Sequence, residues 1–293
     1  MTIKILRRLY ELPPRESVRR IGARLRGRRA HWDIGEILAT SKYMQSQLPQ
    51  NFFIRYQTIL QRACGWEPLA FAGRQVIEIG TGPMMGWAPL GVFLGADRYV
   101  CVEPRFNPAV INNQTLIEKV FLLTYKDLCA LFGPQCTFDE FLERLVSRVE
   151  IVRSNFIEAA IDGDFDIALS NSCLEHISDL AVTIKKLAHV TARGGRFLHL
   201  VDFGTHRRAR NPFDKMYGAD PDAYFAKFGT SINLLRAPDV LKTFIDAGLD
   251  AVLVPYYSFP EFHNGEICEY WRTRYTDEEL FLKAGIVAGP VAS

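Results

Sequence analysis

The stretch that most constrains this chain is VIEIGTGPMMGWAPLGVFLGADRYVCVEP, residues 76–104. A β-branched run feeds a glycine-containing turn, an apolar helical segment follows, and a second apolar run ends on Glu103. Strands that alternate with helices suit parallel pairing through crossover connections, and a parallel sheet needs helices over its faces. The same alternation continues downstream. Strands are predicted over 75–79, 98–102, 149–153, 165–169 and 196–201, with helices over 86–95, 138–147 and 179–191. The fold class is therefore α/β, doubly wound.

Three segments follow from this pattern. Residues 1–72 are a basic and helical N-terminal segment, 73–205 the core, with an insertion at about 105–148, and 206–293 a loop-rich cap with the last strands. In the cap, Gly248 suits the left-handed position beyond a helix end. The tail from 277 onward carries little pattern. No apolar run reaches the roughly 18 residues of a membrane span. The six cysteines are scattered without a CxxC pair, which points to reduced thiols and a cytoplasmic setting. No ligand spacing supports zinc, and nothing favours a metal held by Asp202, His206 and Glu266.

Charge is unevenly spread. Residues 1–30 hold Lys4 and nine arginines against Glu11 and Glu16, a balance of +8, so the remainder carries −6 within the net +2. Val18, Ile21 and Leu25 share one helical face of that arm. It suits an anionic membrane surface at the inner face of the membrane, or a phosphorylated acceptor. It equally suits a solvated arm packing one stripe on its own domain. Nucleic acid is not expected, because the body is acidic and carries no nucleic-acid motif.

The glycine turn points to a ligand. Gly80 and Gly82 bring bare backbone to a helix start, and Glu103, 23 residues after Gly80, is placed to accept both hydroxyls of a ribose. A dinucleotide fingerprint would want a third glycine where Met85 stands. Glu78 before the turn suits a cofactor bearing an ammonium and a sulfonium better than a pyrophosphate.

Two later motifs extend the pattern. LSNSCLEHISD (169–179) closes a strand and turns into a helix capped by Ser178 or Asp179, and ARGGRFLHLVD (192–202) is a glycine pair followed by a buried strand. Taken with the turn, these resemble the class I S-adenosylmethionine-dependent methyltransferases, over roughly 73–205. The forms EIGTGPMMG, LHLVDFGTH and INLLRAPDVLKTFIDAGL look closest to bacterial methyltransferases of polysaccharide and lipopolysaccharide clusters. The resemblance implies a Rossmann-like, mostly parallel seven-stranded sheet and S-adenosylmethionine as cofactor.

It also implies site residues. Glu78, Gly80, Thr81 and Gly82 should line the methionine end of the cofactor, with Gly86 letting the next helix pack closely. Glu103 should hold the ribose, and Asn155 and Phe156 should flank the adenine, Asn155 standing where the family more usually has aspartate. Asn171 should offer its backbone to the cofactor's amino group. Asn233 and Arg236 match a substrate-binding stretch in which Leu235 replaces a frequent arginine.

Transfer to a hydroxyl also needs a proton acceptor within hydrogen-bond reach. Candidates near the carboxyl ends of the fourth and fifth strands are His206, Asp202 and His176. His199 reads as a core histidine, and His263 as a solvated one. Tyr217, Tyr224, Phe225 and Phe228 could stack on a sugar or simply form the core of the cap. The sequence thus points to O-methylation of a sugar or glycan precursor. The rivals are a natural-product methyltransferase, an NAD-dependent oxidoreductase or epimerase, and a non-catalytic adenosyl-binding scaffold.

Overall fold

The computed structural model describes residues 31–206, 211–262 and 266–290. Seven strands form one sheet: β1 (Gln75–Ile79), β2 (Arg98–Val102), β3 (Val149–Val152), β4 (Phe165–Asn171), β5 (Thr191–Asp202), β6 (Val252–Ser258) and β7 (Leu282–Pro290). Their order is β3-β2-β1-β4-β5-β7-β6. The first five are parallel, and β7 runs antiparallel to both its neighbours. In β1 and β2, four of five residues are buried, as expected of strands covered on both faces.

Caps fix the helix starts locally. Thr137 and Glu140 form a reciprocal capping box on Phe138–Ser147. Asp179, not Ser178, caps Leu180–Val190 by accepting from Val182 N at 3.1 Å. Gly65 (φ 68°) ends the long helix Leu48–Cys64, and Gly248 (φ 82°) lies just past Ala237–Asp246.

The helix expected over 86–95 is shorter. A single 3₁₀ turn covers Gly82–Met84, Met85 (φ 63°) and Gly86 (φ 52°) are left-handed, and the helix runs only from Ala88 to Phe93. A regular helix cannot pass through two consecutive left-handed residues. The tail, weakly patterned in sequence, supplies β7, inserted between β5 and β6. Its small residues are dictated by crowding, since a Cβ on Gly289 would overlap the Asp250 carbonyl.

Apolar side chains pack on both faces of the sheet. One cluster joins Phe53, Tyr56 and Leu60 of the N-terminal helix to Trp87, Phe93 and Tyr99, and the other packs Leu180, Ile184 and Phe244 on Val100 and Phe197. Residues 31–72 thus share a core with the sheet: Trp87 Nε1 donates to Pro49 O at 2.8 Å. The cap has its own core around Tyr217, Tyr224 and Trp271. Among the described residues, no helix is long and apolar enough to cross a membrane. The basic arm, residues 1–30, lies outside the described residues.

Candidate active site

Strand order reverses between β1 and β4, and ligands of open α/β sheets bind at the carboxyl ends there. A cavity of about 830 Å³ opens at this point. Glu78, Gly80, Thr81, Gly82, Glu103 and Asn171 line it, so six of the eight cofactor residues expected from sequence come together.

The turn is held from beneath. Glu78 is buried, and its Oε2 accepts from Trp87 N at 2.8 Å and from the Tyr99 hydroxyl at 2.6 Å. Burial pushes its carboxyl up to about 7, against the pull of those two donors. Gly86 is required by this arrangement, because a Cβ there would stand 2.5 Å from the Glu78 carboxyl carbon. Its role is thus to clear Glu78 rather than to seat a helix on the sheet. Gly80 (φ 72°) lies against Cys173, whose Sγ a Cβ would overlap. These glycines leave backbone, not side chains, facing the cavity.

Glu103, at the end of β2, accepts from Gly82 N at 3.0 Å through Oε2 and from Arg105 N at 3.1 Å through Oε1. A carboxylate offers about four acceptor positions, so two remain for a diol. Thr81 Oγ1 is buried without a hydrogen-bond partner among the described residues. The Asn171 side-chain carbonyl accepts from Tyr56 O–H at 3.1 Å. A bare glycine turn, a carboxylate with open acceptor positions and an orphaned hydroxyl fit an adenosyl amino acid. Asn155 and Phe156 are not brought to this cavity. Phe156 is packed in the core beneath Lys186, whose ammonium donates to its carbonyl at 2.6 Å, and Asn155 turns to Glu158.

At the ends of β4 and β5 stands a polar cluster. His176 Nδ1 donates to Ser231 O at 2.7 Å, which leaves Nε2 as the acceptor in the neutral ring. Burial lowers the pKa of His176. Its ring meets that of His206 edge-on, with centroids 4.5 Å apart. His206 Nε2 lies 3.7 Å from Glu175 Oε1 and 3.7 Å from Asp202 Oδ2. Burial acts to raise Asp202, but contacts with His206, Lys283 and the Gly204 N–H outweigh it and hold the group at about 2. Lys283 Nζ is in direct contact with Asp202 Oδ1, and Gly204 N donates to the same oxygen at 2.8 Å. So bound, Asp202 is a weak proton acceptor.

The three catalytic candidates therefore do converge, although only His176 and Asp202 line the cavity. Sequence reading missed Glu175 and Lys283. Glu175 sits in the turn next to His176, 3% exposed, and burial pushes it up to about 7. Lys283 is delivered by β7, which no periodicity announced. His199 is buried in the core with Nδ1 on Ser170 Oγ at 2.8 Å, and His263 lies outside the described residues.

The substrate-binding candidates have structural partners instead. Asn233 Nδ2 donates to Leu174 O and Ile177 O, holding the turn that carries His176. Arg236 is 1% exposed and donates to Phe203 O at 2.8 Å and to the Tyr217 hydroxyl at 2.9 Å. Tyr217 belongs to the cap core with Tyr224, and its hydroxyl donates to Leu280 O. None of the three lines the cavity. Its aromatic lining includes Trp32, Tyr43, Phe52, Tyr56, Tyr256 and Tyr257 on the N-terminal segment and β6, with Trp87, Phe121 and Phe259 beside them.

Residues 45–254 match the family model of the methyltransferase domain. No curated protein matches in sequence. Among solved structures, an S-adenosylmethionine-dependent methyltransferase from Mesorhizobium loti is similar at 12% identity and TM-score 0.44, covering 76% of this chain and 93% of that one. An arsenic(III) S-adenosylmethionine methyltransferase from Chlamydomonas reinhardtii is similar at 13% and 0.45, covering 84% and 73%. The N-methyltransferase NodS from Bradyrhizobium japonicum is similar at 10% and 0.38, covering 85% and 99%. Likenesses this distant say nothing about acceptor. The family match spans more than two thirds of the chain, and by it the chain belongs to the methyltransferase-domain family, as a class I enzyme that uses S-adenosylmethionine.

Proposed function

We propose that the enzyme methylates a hydroxyl of a sugar or glycan precursor, as the likeness to polysaccharide-cluster enzymes suggests. The observation that carries this reading is the pairing, in one cavity, of an aromatic wall with His176 and Asp202, beside which His206 stands 3.7 Å from Asp202. Aromatic rings accept the apolar faces of a sugar, and the cluster faces its hydroxyls. S-adenosylmethionine supplies an electrophilic methyl group on a sulfonium.

The chain's own residues do the rest. Gly80, Thr81 and Gly82 receive the amino-acid end, Glu103 takes the ribose diol, and the Asn171 turn receives the amino group. Holding acceptor and methyl donor in line is worth several kcal/mol of the barrier. The acceptor proton is taken within the cluster of His176, Asp202 and His206. Asp202, tied to Lys283, positions this cluster rather than accepting the proton. The basic arm would bind a phosphorylated, nucleotide-linked or lipid-linked handle that the acceptor already carries.

The test is release of S-adenosylhomocysteine with a panel of nucleotide sugars, free sugars, phenols and amines. Turnover confined to the sugar classes supports the reading, and turnover only on phenols or amines overturns it. Deleting residues 1–30 should raise KM for the acceptor or weaken vesicle association. No change in either removes the arm from the proposal.

A further inference from the structure

We propose that Glu175, His176 and His206 form a binding site for one divalent transition-metal cation at the edge of the active-site cavity. One donor atom from each lies within 4.8 Å of the others. Metal–ligand bonds of about 2.0–2.2 Å place neighbouring donors about 3–3.5 Å apart, so small side-chain movements would close the set.

The state of each donor supports this. Both oxygens of Glu175 are buried with no side-chain donor at hydrogen-bond distance among the described residues, and against burial the charged form is favoured by the backbone of Glu175 and Asp202 and by the His206 imidazole. A carboxyl placed so in a protein interior either takes up a proton or is met by a positive charge, and a cation would supply that charge. His206 Nε2 stands 3.7 Å from Glu175 and equally far from Asp202 Oδ2. That spacing is too long for direct hydrogen bonds and leaves room for an ion between the groups. Lys283 occupies the other oxygen of Asp202, so its charge is already matched there.

His176 shows the orientation expected of a metal ligand. Its Nδ1–H is fixed on Ser231 O, which aims the Nε2 lone pair outward. Asn233 braces the same turn through Leu174 O and Ile177 O, and its own N–H donates to Glu175 O at 2.8 Å. Thus the residue expected to touch substrate instead holds two of the three donors in place. Two imidazoles and one carboxylate favour Mn²⁺, Fe²⁺, Co²⁺ or Zn²⁺ over Mg²⁺ and Ca²⁺, which prefer all-oxygen sites.

An ion here would take an oxygen of the acceptor as a further ligand and lower the pKa of its hydroxyl, so that with both histidines bound to the ion the proton leaves to solvent water instead of to an imidazole. This role rests on the oxygen-methylation reading above, but the site itself does not.

The experiment uses the untagged full-length protein, stripped with EDTA and dialysed, then titrated with Mn²⁺ while free Mn²⁺ is followed by its EPR signal. Wild type should saturate at one ion per chain, and Glu175→Gln and His206→Gln should each weaken binding at least tenfold. S-adenosylhomocysteine binding, measured by calorimetry on the same samples, should be unchanged in both variants. Wild type that fails to saturate at one Mn²⁺ per chain, or that binds Mn²⁺ no more tightly than Glu175→Gln and His206→Gln, overturns the proposal. If the homocysteine product still binds in that case, the methyltransferase reading stands alone. If Mn²⁺ binds and the product does not, the cation site stands and the cofactor assignment fails.

Discussion

Gly86→Ala isolates the contact that sets the cofactor turn. Two penalties apply. The residue sits at φ 52°, where an L side chain costs about 1–2 kcal/mol. The new Cβ would also stand 2.5 Å from the Glu78 carboxyl carbon and 2.6 Å from Oε2, the atom that accepts from Trp87 N and Tyr99 O–H. The carboxyl cannot swing away without losing at least one of these bonds, worth about 1.5–3 kcal/mol to a charged acceptor. Together the loss should be about 3–5 kcal/mol, measured as the shift in urea unfolding free energy. Gly73→Ala is the control, because Gly73 (φ 71°) has nothing within 4 Å of its added Cβ and pays for the dihedral alone. The variant should also weaken S-adenosylhomocysteine binding, since Thr81 and Gly82 follow the displaced turn. Equal losses in the two variants would refute the claim that Glu78 is clamped.

Other outcomes are expected. Glu103→Ala should weaken S-adenosylhomocysteine binding by about 1–3 kcal/mol in calorimetry; unchanged affinity would remove Glu103 from the ribose site. Asn233→Ala strips the donors from Leu174 O and Ile177 O and should destabilise the fold by about 1–3 kcal/mol in urea, with a larger fractional loss of turnover than of cofactor binding. Burial holds His199 at about 3, well below the ordinary 6.5. Its contribution to stability is therefore complete above about pH 6.5 and is lost as pH falls toward 3, at about 1.4 kcal/mol per pH unit. His199→Leu should flatten the decline in unfolding free energy between pH 6.5 and 5, and parallel wild-type and variant profiles would contradict this.

Much of the core was legible because its signals are local. β1 and β2 announce themselves as apolar runs, and the glycine turn and Glu103 sit at fixed distances along one unit. Asp179 marks a helix start by chemistry that acts within three residues. What was not legible depends on contacts distant in the chain. Met85 gives no hint that it occupies a left-handed position, which it takes next to Gly86, where the Glu78 carboxyl leaves no room for a side chain. Lys283 meets Asp202 across 81 positions. The glycines and alanines of β7 serve the crowded interior of a sheet, and their spacing looks like nothing in particular. Asn233 and Arg236 were singled out as substrate contacts, yet both bond to carbonyls of neighbouring segments, which only the folded cap brings near.

The placement of β7 sets the order in which the enzyme becomes complete. Although it follows β6 in the chain, it lies between β5 and β6, so the growing polypeptide carries an open β5 edge until residues 282–290 have been made. Because chains fold from the N-terminus as they are synthesised, the cofactor crevice at β1 and β4 can form first. Asp202 must then wait for Lys283, and the exposed edge of β5 can pair with another nascent chain during that interval. A ribosome pause before residue 282 would thus leave the crevice at β1 and β4 formed, its polar cluster unfinished and one sheet edge open to aggregation.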